Sequence, residues 1–230
     1  MSVVLFTRKD TIDGAMCGVI AKYVFGEDVE IVGSVPNEID DCFINYFNID
    51  SYYDTDEEKE IYNVFGNDKL FFYKNIFLTD LFLHEDLLYR IGRNSVVNKK
   101  FAICDNSKEA VKNGAGHYLF NNVKFKDGFD RLLSSTALFY EDLQKRKLIN
   151  KSIMLDSVST LLSSMEQDEL TGDAKDLEVL YSALGKQKFC EFMMKKIQED
   201  SNEKFKFSKE EKALIENYKN KQESNSEPNE

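Results

Sequence analysis

Four short, strongly apolar segments separated by longer amphipathic ones constrain this chain more than any other feature. Val3-Val4-Leu5-Phe6 is a continuous apolar run, the pattern of a strand covered on both faces. Val29-Glu30-Ile31-Val32-Gly33, Asn75-Ile76-Phe77-Leu78-Thr79-Asp80 and Lys100-Phe101-Ala102-Ile103-Cys104-Asp105 repeat the theme, and the last two end on a carboxylate. Between the first two, Ile12, Ala15, Met16, Val19, Ile20, Tyr23 and Val24 recur at helical spacing, with Gly26 placed to stop the helix. Asn37 is expected to cap a helix running to Phe47, and Glu85 to Ile91 reads as another. Strands alternating with helices predict an α/β fold with a mostly parallel, Rossmann-like sheet.

The remainder reads differently. Residues 49–70 are acidic and tyrosine-rich and are expected to form a surface excursion. After Ser134-Ser135-Thr136 the pattern turns helical, with segments near 151–166, 173–184 and 187–198, the last two divided at Gly185. A short helix is expected from Lys209 to about Tyr218, followed by a disordered acidic tail. The expected organisation is an α/β domain over 1–148, a helical extension over 149–200 that completes a cleft, and a charged tail over 201–230.

Composition narrows the function classes. A net charge of −11 is wrong for coating duplex DNA, which needs a broad basic surface. No apolar run is long enough to span a bilayer, and the first residues lack the pattern of a signal peptide. A cytoplasmic protein without a membrane partner is therefore expected. The four cysteines lie far apart without metal-ligand spacing and read as reduced thiols.

Ligands of parallel α/β sheets bind outside the carboxyl ends of the strands. Three segments place polar residues there: Arg8-Lys9-Asp10-Thr11-Ile12-Asp13-Gly14, Thr79-Asp80 and Asp105-Asn106-Ser107-Lys108. Converging carboxylates at that edge are what a two-metal phosphoryl-transfer site requires.

The ordered set of segments resembles the DHH phosphoesterase superfamily, in particular its oligoribonuclease and cyclic-nucleotide phosphodiesterase branch. That family has a His-x-Asp-x-Asp-Gly motif after the first strand, then a lone Asp, then Asp-His-His, then a Ser/Thr-rich helix start and a late Asp. The counterparts here are Asp13-Gly14, Ile76-Phe77-Leu78-Thr79-Asp80, Ile103-Cys104-Asp105-Asn106-Ser107-Lys108, Ser135-Thr136-Ala137-Leu138-Phe139-Tyr140-Glu141 and Asp168. The segment Asp173 to Phe189 also resembles that branch.

Departures accompany the matches. Without gaps, the family's first His falls on Lys9 and its first Asp on Thr11; a one-residue bulge would instead bring in Asp10, with Arg8 near the His. Asp-His-His has become Asp105-Asn106-Ser107, and the only histidines are His84 and His117, away from the motifs. The family's Gly-Gly-rich C-terminal motif is not found.

The resemblance implies metal ligands among Asp10, Asp13, Asp80 and Asp168, catalytic-motif positions at Asp105, Asn106 and Ser107, and phosphate contacts from Arg8, Lys9, Lys108, Ser135 and Thr136. The expected cofactor is one Mn²⁺ or Mg²⁺ ion, or none. The expected function is that of a degenerate family member. It would bind the phosphate of a nucleotide or short oligonucleotide with weak or no hydrolysis, in a sequestering or regulatory role. One alternative is an active metal-dependent phosphodiesterase acting on short RNA or cyclic (di)nucleotides. Another is a non-catalytic interaction protein. A homo-oligomer or a protein partner is left open.

Overall fold

The computed structural model describes residues 2–56, 59–105, 133–166, 172–199 and 202–226. Four parallel strands form the central sheet: β1 (Val3–Arg8), β2 (Val29–Ser34), β5 (Asn75–Thr79) and β6 (Phe101–Cys104), in the order β2-β1-β5-β6. β1 pairs with β2 through Val3↔Val29 to Arg8↔Ser34, and with β5 through Val3↔Asn75 to Thr7↔Thr79. After β2 the chain therefore crosses back over β1 to reach β5. That reversal opens a crevice at the carboxyl ends of β1 and β5.

The apolar runs are continuous because alternate side chains feed two separate cores. Val3, Leu5, Phe77, Ala102 and Cys104 face one apolar cluster. It is filled by α1 (Ile12–Phe25), α6 (Ser135–Lys145), α7 (Ile153–Glu166) and α8 (Gly172–Glu199). Val4, Phe6, Ile76, Leu78, Phe101 and Ile103 face the other. There they meet α2 (Ile39–Phe47), α3 (Asp68–Phe72), α4 (Glu85–Arg93) and α5 (Ser95–Asn98). Phe6, Phe43, Phe77, Phe101, Phe139 and Phe189 are fully enclosed, and each such side chain stabilises the fold by about 1.5–3 kcal/mol.

Helix ends follow local chemistry. Gly26 ends α1 at φ 60°, as its sequence position suggests. Ser134 caps α6, its hydroxyl accepting from the Ala137 amide at 3.1 Å. The α2 start differs from expectation: Asn37 does not cap it. Val35 to Glu38 close a turn through Glu38 N–H to Val35 C=O at 3.0 Å. Pro36 and Asn37 fill its two central positions, and the helix begins only at Ile39.

The acidic excursion contains an antiparallel hairpin, β3 (Asp50–Asp54) with β4 (Lys59–Asn63). α8 is broken at Gly185, which has φ 72° and ψ 160°. The final helix, α9 (Lys209–Ser226), extends eight residues past Tyr218, and residues 227–230 lie outside the description. All four cysteines are free thiols, Cys17 and Cys104 being buried. No helix among the described residues is long and apolar enough to cross a membrane.

Candidate active-site cleft

A cleft of about 750 Å³ lies at the crevice between the ends of β1 and β5. Arg8, Asp10, Thr11 and Asp13 line it from the β1–α1 junction, Asp80 from the end of β5 and Asp105 from the end of β6. Met165 and Glu166 of α7, and Glu178, Tyr181 and Ser182 of α8, line it from the helical side. Three strand ends named by the sequence thus meet in one space.

The β1–α1 turn is tightly built. Thr11 caps α1, its hydroxyl oxygen accepting from the Gly14 amide at 3.0 Å, and it donates to Asp80 Oδ2 at 2.5 Å. The position that an ungapped comparison gives to an aspartate therefore carries a hydroxyl hydrogen-bonded to the lone β5 carboxyl. Below it, Thr79 donates to Thr7 at 2.9 Å and Thr7 donates to the Gly14 carbonyl at 3.0 Å, tying β5, β1 and α1 together. Gly14 is forced by contact: a Cβ there would lie 2.1 Å from the Arg8 carbonyl oxygen.

Asp13 is buried, with 5% of its surface exposed. Its Oδ2 accepts from the Ser135 amide at 2.6 Å and its Oδ1 from the Thr136 amide at 2.8 Å. Thr136 returns a bond from its hydroxyl to the Asp13 carbonyl at 3.1 Å. The anion-accepting start of α6 is thus occupied by an internal carboxylate. Ser135 and Thr136 are buried and not among the described lining residues, and the Ser135 hydroxyl has no hydrogen-bond partner among the described residues.

Burial pushes the Asp13 carboxyl up, the α6 amides oppose it, and Asp105 adds to the rise. Asp80 is pushed up to about 8 by burial, then by Asp13 and Asp105, against the opposing Thr11 bond and Arg8. Asp80 also holds a left-handed backbone at φ 55°, which costs a non-glycine residue about 1 kcal/mol or more. Arg8 is the only cation among the described lining residues. Its Nε donates to Asp10 Oδ1 at 2.8 Å, raising the guanidinium and holding Asp10 below the usual carboxylate range.

Lys9 points elsewhere. Its ammonium lies 3.4 Å from Glu38 and does not line the cleft, while its carbonyl accepts from Lys186 Nζ at 3.0 Å. His84 is exposed at the start of α4. Asn106, Ser107, Lys108, Asp168 and His117 lie outside the described residues. Phe82 lines the cleft although no sequence motif marks it, and Glu178 and Tyr181 reach it from the Asp173–Phe189 segment without having been named as site residues.

Asp10, Asp13, Asp80 and Asp105 share one cleft, yet no group of three or more His, Cys, Asp or Glu among the described residues is arranged to hold a metal ion. Each Asp13 oxygen accepts from an α6 amide, and Asp10 is paired with Arg8. The described side chains by themselves do not assemble the two-ion clamp of a DHH-type site.

Fold and site together define a Rossmann-like α/β protein with an acidic cleft at the switch point of its sheet. The chain is 26% identical over 215 residues, 92% of its length, to the oligoribonuclease NrnB of Bacillus subtilis (strain 168). It spans about half of that protein, 48% of its length. No family model and no solved structure matches the sequence.

Proposed function

We propose that the cleft binds the phosphate of a nucleotide or short oligonucleotide, on a degenerate DHH-type scaffold with weak or no hydrolysis. The observation that carries this is the meeting of Arg8, Asp13, Asp80 and Asp105 in one cleft at the switch point. Arg8 supplies a planar guanidinium suited to bidentate phosphate contact, exchanging Asp10 for the ligand. The Thr11–Asp80 bond and the Asp13 cap on α6 fix the floor around it. Weak hydrolysis is the reading supported by the replacement of the family's Asp-His-His by Asp105-Asn106-Ser107, since two bound ions ordinarily stabilise the attacking and leaving oxygens.

The similarity to an oligoribonuclease favours a second reading, a working phosphodiesterase acting on short RNA. A paired assay separates the two. Purified protein is offered cyclic nucleotides, cyclic dinucleotides and dinucleotide RNAs, with and without Mn²⁺, and both binding and cleavage are measured. Binding with intact ligand recovered after denaturation supports the first reading. Metal-dependent turnover abolished by Asp80→Ala establishes the second. With neither, both fall and a non-catalytic interaction protein remains. Under the first reading Arg8→Ala weakens binding by about tenfold or more, the loss of one charge-assisted contact.

A further inference from the structure

We propose that Phe82 and Tyr181 form a base-stacking wall of the cleft, so that its ligand must carry a nucleobase as well as a phosphate. This rests on the nucleotide reading above and adds the recognition of the base.

The cleft lining combines charged groups, among them Arg8 and Asp80, with the rings of Phe82 and Tyr181. A sugar phosphate or an inorganic anion would engage Arg8 and leave the rings unused. A nucleotide, charged at one end and flat and apolar at the other, matches both.

The two rings reach the cleft for separate reasons. Phe82 lies in the irregular segment after β5, between Leu81 and Leu83, which are 2% and 0% exposed. Phe82 is half-buried, packing in part against the same apolar cluster while lining the cleft beside Leu81. Tyr181 lies on α8, where Leu177 and Leu180 turn into the protein. Its ring stands perpendicular to that of Phe189, centroids 5.1 Å apart, and this contact fixes the plane it presents. The other large aromatics with exposed surface, such as Tyr52, Tyr53, Phe65 and Phe72, do not line this cleft.

Stacking on such a wall is tolerant of base identity, because every base offers a π-face. The ligand class is therefore a nucleoside monophosphate, or the terminal nucleotide of a short oligonucleotide, with little sequence preference.

Calorimetric titration with adenosine 5′-monophosphate and with ribose 5-phosphate tests the inference. The wild-type chain is expected to bind the nucleotide about tenfold or more tightly than the sugar phosphate. In a Phe82→Leu/Tyr181→Leu variant the two affinities converge to within about twofold, with ribose 5-phosphate unchanged. Tyr181→Phe, which keeps the ring, retains the wild-type ratio and so separates stacking from a general loss of structure. Equal affinities in the wild type, or a ratio unaffected by the double substitution, overturn the stacking wall while leaving phosphate binding in place. If neither compound binds, the nucleotide reading fails and the wall with it.

Discussion

Gly14, Asp13 and Asp80 show how much of the cleft is decided by single atoms. A methyl group on Gly14 would collide with the backbone of Arg8 rather than with a side chain that could move. Gly14→Ala is expected to destabilise the protein by about 3 kcal/mol or more in urea denaturation. Asp13→Ala strips two buried α6 amides of their acceptor, with an expected loss of about 2–4 kcal/mol.

Asp80 adds a pH dependence. Its folded-state pKa, about 8, lies above the ordinary 3.8, so the folded protein holds a proton that the unfolded chain releases. Stability contributed by that proton is present at low pH and lost as the pH rises from 3.8 through about 8. Asp13 shifts in the same direction. Denaturation in the presence of a chelator should show stability falling over this window, and Asp80→Asn should flatten the fall.

These residues were unequally legible. Asp13, Asp80 and Asp105 could be named because a carboxylate directly after a buried strand, or beside a glycine at a helix start, carries a local signal. The Thr11–Asp80 bond and the grip of Asp13 on Ser135 and Thr136 join positions 69, 122 and 123 residues apart, which no local pattern encodes. Phe82 sits within Leu81-Phe82-Leu83 and reads as core until the fold assigns its neighbours inward.

At the scale of elements, α9 braces α8 across its break. Lys219 reaches Asp176 before Gly185 at 2.7 Å, and Glu211 reaches Lys196 after it at 3.0 Å. The segment before the break carries Glu178, Tyr181 and Ser182, so α9 holds a wall of the cleft in place. Lys219→Ala should cost only about 0.5–1 kcal/mol globally, the range of a partly exposed ion pair. It should nevertheless speed amide hydrogen exchange in residues 173–184 more than in 187–198, and salt should reproduce the effect in the wild type. Uniform exchange across both halves would mean that α9 does not brace the break. The break was readable, because a glycine interrupts an otherwise amphipathic run. The β3–β4 hairpin was not: Asp50, Ser51, Tyr52 and Tyr53 are all exposed, so burial imposes no alternation on β3 for a sequence pattern to reveal.

For the whole molecule, the parallel sheet was legible chiefly through β1, β5 and β6, which feed two cores and so are apolar along their length, whereas the edge strand β2 is largely exposed. Strand order was not, since pairing β1 between β2 and β5 is a choice of topology rather than of composition. That choice creates the crevice on which the proposed function depends. The most direct test is a backbone amide NMR titration with a dinucleotide RNA, in the absence of metal and then with Mg²⁺. Nucleotide binding in the cleft predicts shifts concentrated at Arg8, Thr11, Asp80, Phe82 and Tyr181, lost in Arg8→Ala. Shifts centred elsewhere, or none at all under either condition, would contradict it.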